Sequence, residues 1–564
     1  MKTKIFNIIL ACQLCCGFAA TLTACSDDNV TGDPAKDWAG TTNAFTPTDE
    51  KGFGTYYMPA IGRVGDPMPF YDQKAGNFKV LYLQEYDNNM DKRFHPIWAV
   101  QTTDGCHYTS LGEIIPFGDN DYQQDAALGT GCCYYSEKDG LYYVYYTGHN
   151  GNCKNREVVM RATSSDFKTW TKDNLWALNG PDFGYSGNDF RDPQIFVADD
   201  GLYRMVISTY PKNGGDPQFA EFKSSDLKNW EHVGPFKMIW DRMLECPDIF
   251  KMGDYWYLVY SQSFRASWSR KVKYMFADSW EALKDCFNNG PKWPADGPLW
   301  REGNLDTRAF YAGKTASNGT DRFIWGWTPY RSGADIHEKN INVGAGEGNE
   351  PNWSGALVCH KLIQHADGTL SMGAVPAMAA KYNQPQTVSV MDSKGYTDGT
   401  LTGDDAYVMY NRLSAHNHIS LTVKTSNNRD KFGVSFVRST DPDYYYTLVV
   451  QPEKQDDDEE NIRKVNFEQE GYRIVEEWSE EEQKMVEKKV YGKGFIEGAD
   501  GYGFYRPENN EYNIDIYTDN SVLVMYINDI VCCTQRIYGI QKNCWSINNY
   551  GGSITISDVK VTQY

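Results

Sequence analysis

Residues 189–209, Asp-Phe-Arg-Asp-Pro-Gln-Ile-Phe-Val-Ala-Asp-Asp-Gly-Leu-Tyr-Arg-Met-Val-Ile-Ser-Thr, read as a β-hairpin. One strand runs from Gln194 to Ala198, Asp199-Asp200-Gly201 turns the chain, and Leu202 to Ser208 returns it. The unit recurs. Asp66 to Tyr71 leads through Gly76 into Phe78 to Gln84. Gly131 to Tyr135 leads through Asp139-Gly140 into Leu141 to Tyr146. Glu245 to Phe250 leads through Gly253-Asp254 into Tyr255 to Tyr260, and Asp306 to Tyr311 leads into Arg322 to Trp327. The spacing is roughly 50–70 residues, the length of a propeller blade. A second repeat agrees with it: Ser164-Ser165-Asp166-Phe167-Lys168-Thr169-Trp170 returns as Ser224-Ser225-Asp226-Leu227-Lys228-Asn229-Trp230. Five four-stranded blades make a five-bladed β-propeller, with the start of each first strand nearest the axis.

Three of these starts carry an acid: Asp66, Asp192 and Glu245. An aspartate before proline is ordinarily a turn or cap residue. Three acids at equivalent positions of a repeat point instead to one shared axial site. Arg191 beside Asp192 should hold that carboxylate ionised, and Pro193 fixes the backbone at that corner.

A chain of 564 residues holds more than one domain. With 39 Tyr and 16 Trp it suits an all-β protein, and aromatic-lined clefts often bind sugars. The formal charge of -20 argues against nucleic acid or anionic lipid as partner and fits a neutral substrate. Nine His show no pairing with Cys at zinc spacing, so no metal site is expected.

The N-terminus reads as a targeting segment. Lys2 and Lys4 precede an apolar run from Ile5 to Ala20, and Leu22-Thr23-Ala24-Cys25 resembles a bacterial lipobox. Residues 1–24 are then a signal peptide and Cys25 the lipidated residue. The acidic Ser26-Asp27-Asp28 resembles the tag that sends lipoproteins to the outer face of the outer membrane. A neighbouring glycan-uptake complex is an expected partner there. Ten of the 14 Cys remain, with no regular disulfide framework. In the strand pairs Cys132-Cys133 and Cys532-Cys533, the two side chains should face opposite sides.

Residues 25–55 read as a polar tether, 56–375 as the propeller and 376–384 as a short helical linker. Within the propeller, Ser332 to Trp353 reads as a long loop rimming the axial cleft. Residues 385–564 read as a β-sandwich, with alternating strands such as His418 to Val423 and turn signals at Thr518-Asp519-Asn520 and Gly551-Gly552. A charged insertion at about 452–490, containing Gln455 to Glu460 and Glu476 to Lys489, reads as an exposed hairpin or excursion.

Two carboxyl groups facing across a sugar-sized cleft can cleave a glycosidic bond, one attacking the anomeric carbon and one protonating the leaving oxygen. Glu245, between apolar Leu244 and Cys246-Pro247, is the better acid/base. Asp192 is suited to gripping hydroxyls beside the developing cation, which leaves Asp66 as nucleophile.

The ordered set resembles glycoside hydrolase family 32, the β-fructosidases. Phe190-Arg191-Asp192-Pro193 is similar to that family's Arg-Asp-Pro motif and Glu245-Cys246-Pro247-Asp248 to its Glu-Cys-Pro motif. Leu81-Tyr82-Leu83-Gln84 resembles the strand carrying a substrate-binding glutamine. Asp306 to Tyr311, Trp325-Gly326-Trp327 and Trp353-Ser354-Gly355-Ala356-Leu357 resemble later blocks. The resemblance implies a retaining mechanism without cofactor: Asp66 as nucleophile, Asp192 as transition-state stabiliser, Glu245 as acid/base. Gln84, Arg191 and Cys246 would line the sugar subsite, and Trp98 is either a stacking platform or core. Export to the cell surface favours a polymer substrate, levan or inulin, over sucrose. One motif departs. The family's Trp-Met-Asn-Asp-Pro-Asn-Gly stands here as Arg63-Val64-Gly65-Asp66-Pro67-Met68-Pro69, without either asparagine. That departure keeps a non-catalytic fructan-binding lipoprotein open as an alternative. A propeller glycosidase acting on arabinose or xylose polymers is a second alternative.

Overall fold

The computed structural model describes residues 52–85, 95–238, 243–262, 271–289, 303–307, 309–329, 353–437, 445–452, 462–537, 540 and 543–564. The N-terminal segment with Cys25, the loop from Ser332 up to Trp353, and the acidic run Gln455 to Glu460 lie outside the described residues.

Strands form where the sequence hairpins stand. Blade I holds β1 (Arg63–Asp72), β2 (Asn77–Glu85), β3 (Ile97–Thr102) and β4 (Thr109–Ile115). Blade II holds β5 (Ala127–Ser136), β6 (Leu141–His149), β7 (Glu157–Ser164) and β8 (Thr171–Lys172). Blade III holds β9 (Tyr185–Val197), β10 (Tyr203–Pro211), β11 (Gln218–Ser224) and β12 (Glu231–Lys237). Blade IV holds β13 (Leu244–Met252), β14 (Tyr255–Gln262) and β15 (Lys271–Ala277). Blade V holds β16 (Tyr311–Ser317), β17 (Arg322–Pro329), β18 (Gly355–Gln364) and β19 (Leu370–Gly373). Consecutive strands pair antiparallel, and the innermost strands touch in a ring, β1 to β5 to β9 to β13 to β16 and back to β1. The ring closes by hydrogen bonds as well: Val64 pairs with Gly355, and Tyr57 bridges Leu357.

Blade IV shows three strands among the described residues. In place of a full fourth strand, among the described residues, is a single bridge from Lys273 to Asn304. A helix, α1 (Trp280–Asn289), packs beside it. Trp280, Leu283 and Phe287 recur at helical spacing on α1 and join the core between blades III and IV.

The blades explain the aromatic content. A strand covered on both faces needs an apolar side chain at every position, and β6 is buried over all but its first residue. Tyr142, Val144 and Tyr146 face blade I, while Tyr143 and Tyr145 face blade III. Cys133 and Cys132 divide the same way. Each Ser-Ser-Asp repeat is a turn in which the aspartate binds the chain ahead: Asp166 accepts from the Lys168 and Thr169 amides, Asp226 from those of Lys228 and Asn229.

After a short helix, α2 (Ala377–Lys381), the chain forms one 13-stranded sheet folded around a second core. Its last strand, Trp545–Gln563, pairs with four others and serves both layers. Gly551-Gly552 lies inside that strand; it bends one strand where the sequence suggested a turn between two. The charged segment forms a hairpin, Ile462–Ser479 with Lys484–Tyr505, whose tip residues 476–488 reach solvent.

Propeller and sandwich share a continuous seam. Asp519 accepts the amides of Thr55 and Tyr56 at 2.7 and 2.9 Å. Asp306 accepts from the Thr534 amide and hydroxyl at 2.7 and 2.5 Å and from the Thr307 amide at 2.6 Å. His360 meets the Tyr526 hydroxyl at 2.8 Å. Asp306, His360 and Cys532 thus converge, with ligand-type atoms within 4.8 Å. Chain spacing could not reveal this group, because the propeller and the sandwich both contribute to it. Both Asp306 oxygens already accept hydrogen bonds, so the cluster works as a buried interdomain latch.

Candidate active site

In every blade the innermost strand takes one residue more than its neighbour at the same place. Pairing jumps from Val64 to Pro67 on β1, Gly129 to Gly131 on β5, Arg191 to Gln194 on β9, Glu245 to Asp248 on β13 and Tyr311 to Lys314 on β16. Such a bulge bends the strand and re-aims its side chains, here toward the propeller axis. By register Glu245 is the last paired residue before its bulge, Asp192 the first residue inside, and Asp66 the second. The acids therefore occupy three successive positions of the repeat, not one equivalent position. The first bulge residue takes a left-handed conformation in three blades, with φ of 61° at Asp192, 50° at Cys246 and 54° at Ala312. Left-handed non-glycine residues of this kind cost about 1–3 kcal/mol each and collect at functional sites.

Asp66 is fully buried and held by two donors from other blades. The Thr130 hydroxyl donates to Oδ2 at 2.6 Å, and the Trp327 indole N–H donates to Oδ1 at 2.8 Å. The Cys246 thiol lies 3.8 Å from Oδ2. Cys246 joins two of the acids, since its amide also donates to Asp192 Oδ2 at 2.9 Å. Burial and the surrounding carboxylates push its thiol well above the usual range.

Asp192 is fully buried, and its amide donates to the Thr147 hydroxyl at 3.1 Å. Oδ1 has no hydrogen-bond partner among the described residues. Burial pushes its carboxyl up to about 7, against the pull of Arg191, with Glu245 adding to the rise. This corrects the expectation that Arg191 holds Asp192 ionised. The guanidinium turns elsewhere: Nη1 lies 3.0 Å from Glu157 Oε2 and 3.0 Å from Asp189 Oδ1, and Nη2 lies 3.4 Å from Glu245 Oε1. Glu245 is 5% exposed and accepts from the Tyr311 hydroxyl at 2.7 Å.

Gln84 sits opposite Val64, beside the Asp66 bulge. Its amide N–H groups bind the Ile61 and Glu85 carbonyls, leaving Oε1 buried without a partner among the described residues. Trp98 lies on β3, two strands out from the axis, and packs against the core under blades I and V. The aromatic rings beside the acids are Trp327 and Trp353, which cluster with Cys246, Tyr311 and Ala312. Trp353 also explains the lost asparagine. A Cβ built on Gly65 would run into its indole ring, so this bulge has room for glycine alone.

The sequence reading missed Thr130, Glu157 and the contacts of Tyr311 and Trp327. Tyr311 holds the same bulge position as Glu245, and Thr130 that of Asp192, so strand register was the signal. Lys314 was missed too. It donates across the axis to the Gly131 carbonyl at 2.8 Å and to Gln194 Oε1 at 3.2 Å, tying blade V to blades II and III.

Five blades, three axial carboxylates and a sandwich sharing the propeller's core define a propeller-type glycoside hydrolase. Residues 57–372 match the glycosyl hydrolases family 32 N-terminal domain, and residues 368–561 match the GH32 BT1760-like C-terminal domain. The chain belongs to glycoside hydrolase family 32. It is 25% identical over 211 residues to a sucrose-6-phosphate hydrolase of Vibrio alginolyticus, covering 36% of this chain and 41% of the relative. It is 29% identical over 174 residues to a raffinose invertase of Escherichia coli, covering 29% of this chain and 34% of the relative. The chain thus matches less than half the length of either curated relative. Solved structures cover nearly all of it. Sucrose-6-phosphate hydrolase from Lactobacillus gasseri overlays with a TM-score of 0.63 at 16% identity, covering 92% of this chain and 93% of that one. Fructan 1-exohydrolase IIa from Cichorium intybus overlays with a TM-score of 0.64 at 16% identity, covering 92% and 98%. At that identity the likeness is one of fold.

Proposed function

We propose that the protein is a retaining β-fructosidase that hydrolyses fructans, levan or inulin, at the cell surface. The observation that carries the reading is the convergence of Asp66, Asp192 and Glu245 from three blades around Cys246, each buried and each presented by a bulge. Asp66, oriented by Thr130 and Trp327, attacks C2 of the fructosyl unit. Glu245 gives its proton to the glycosidic oxygen as the C2–O bond breaks. The fructosyl ester on Asp66 is then hydrolysed: Glu245 takes a proton from water, the water oxygen bonds to C2, and Asp66 leaves. Asp192 Oδ1, buried and unpartnered among the described residues, is where a sugar hydroxyl would sit, beside the positive charge that develops on the ring.

A phosphorylated sugar would suit this chain poorly, because its formal charge is -20. A polymer outside the cell suits it better. The lipobox-like Leu22-Thr23-Ala24-Cys25 and the acidic residues after it support lipid anchoring through Cys25 on the outer membrane. A glycan-uptake complex beside it would receive the products.

The test is product analysis. Protein lacking residues 1–25 is incubated separately with levan, inulin and sucrose, and products are separated by chromatography. Oligosaccharides or fructose from one polymer support the reading. Binding without any product identifies a fructan-binding lipoprotein instead.

A further inference from the structure

Beyond the three acids, the site contains a fourth buried carboxylate that the mechanism above leaves unused. Glu157 begins β7, the third strand of blade II, and is 2% exposed. Its Oε2 lies 3.0 Å from Arg191 Nη1 and accepts the Phe190 amide at 3.0 Å; its Oε1 lies 3.3 Å from Nη1. His149 at the end of β6 lies behind it. Arg156 Nε donates to His149 Nε2 at 3.3 Å, which places the imidazole proton on Nδ1, 3.4 Å from Glu157 Oε1. Burial alone would favour the protonated form, but the Arg191 charge and the His149 contact outweigh it and hold Glu157 down at about 2.

A single guanidinium therefore stands between Glu157 and Glu245. It meets both oxygens of Glu157, at 3.0 and 3.3 Å; its contact to Glu245 is single, at 3.4 Å. A general acid with an arginine this near is driven toward its ionised form unless that charge is balanced elsewhere. We infer that Glu157 is a positioning residue for the fructosidase reaction: it holds the Arg191 guanidinium and balances its charge, so that Glu245 keeps the proton it must donate. The inference rests on the reading of Glu245 as acid/base. Among the described residues, the groups facing the two carboxylates are few. Glu245 meets Arg191 and Asp192 of β9 and the Tyr311 hydroxyl of β16, with Cys246 on its own strand and Asp66 of β1 beyond the thiol. Lys314 of β16 acts on the Cys246 thiol. Glu157 meets Arg191, His149 and the Phe190 amide. Asp189, a third exposed, shares Arg191 at 3.0 Å.

The test is the pH profile of turnover in Glu157→Gln. The amide oxygen can still accept from Phe190, but the charge is gone and Arg191 is released toward Glu245. The alkaline limb should move to lower pH by about one unit, the smaller end of the effect of an arginine on a carboxylate. Turnover near pH 7 should fall about tenfold with a smaller change in KM, and Glu157→Asp, which keeps the charge, should restore most of the limb. Asp189→Asn provides the same test without disturbing a buried group and should move the limb the same way by a few tenths of a unit. A limb unmoved in both Glu157→Gln and Asp189→Asn overturns the inference; should Glu157→Gln fail to fold, the limb in Asp189→Asn decides alone. The wild type is run alongside. If it turns over no fructan, the proposed function has failed; if it is active and the limb stays, only the role of Glu157 has.

Discussion

Asp192 should make the folded protein less stable as pH rises, and Asp192→Asn should relieve it. Burial raises this carboxyl from 3.8 to about 7 in the folded chain. Below about pH 4 both folded and unfolded chains hold the proton, and Asp192 contributes nothing. Between about 4 and 7 the unfolded chain releases it while the buried carboxyl keeps it. The folded state then binds more protons, so stability falls as pH rises and levels off above about 7. At about 1.4 kcal/mol per pH unit, the interval from 3.8 to about 7 corresponds to about 4 kcal/mol as an upper figure. Asparagine has nearly the same shape, tolerates the φ of 61°, and can still accept from the Cys246 amide. Calorimetric melting of both proteins at pH 4.5 and pH 8 measures the difference. The variant should gain little at pH 4.5 and melt clearly later than the wild type at pH 8, while turnover drops at least ~100-fold, as when a charge-stabilising group is removed. A gain that is equal at the two pH values, or a variant that melts earlier at pH 8, would refute the reasoning.

Three further outcomes can be checked alongside. Glu245→Gln should lose at least ~100-fold in turnover while keeping its melting temperature, as expected on removing a general acid; near-normal turnover would remove Glu245 from its role. Trp327→Phe deletes the indole donor to Asp66 Oδ1. Hydrogen bonds to charged groups contribute about 1.5–3 kcal/mol, so fructosyl transfer to the enzyme should slow roughly 10–100-fold in a pre-steady-state measurement. Gly65→Asn, which restores the family's asparagine, should destabilise by about 1–3 kcal/mol and should not raise turnover, because its side chain meets the Trp353 ring. Chemical denaturation of Gly65→Asn with and without Trp353→Ala should show that the second substitution relieves the first.

Much of this architecture was legible because hairpins announce themselves locally. Glycine turns such as Gly140 and Gly201 and the tyrosine-rich run 141–146 mark the blades by short-range chemistry. The three acids were legible for the same reason, each lying beside a distinctive dipeptide. Their exact register was not. A bulge adds one residue to one strand, and only the pairing partners, Gln84, Ser208 and Ser261 among them, show where it falls. Residues that act across blades left no local mark. Thr130 reaches Asp66 from blade II, Trp327 from blade V, and Glu157 reaches Glu245 through Arg191. The ionisation of Asp192 was misjudged because its burial, which leaves no mark in the local sequence, outweighs the pull of Arg191, whose guanidinium binds Glu157, Asp189 and Glu245. In blade IV, α1 adds Trp280, Leu283 and Phe287 to the core, a contribution that strand periodicity gave no sign of. The seam at Asp306, His360 and Cys532 needs both domains in place to exist at all.

The most direct measurement is to trap the fructosyl-enzyme. Fructosyl fluoride carries a leaving group that needs no proton, so Glu245→Gln can form the intermediate but hydrolyses it slowly for want of a base. The incubated variant is digested and its peptides are weighed by mass spectrometry. A fructosyl adduct on the peptide containing Asp66, absent when Asp66→Asn is added, is the predicted result. Fluoride release with no adduct, or an adduct on any other residue, would contradict the assignment of the axial carboxylates.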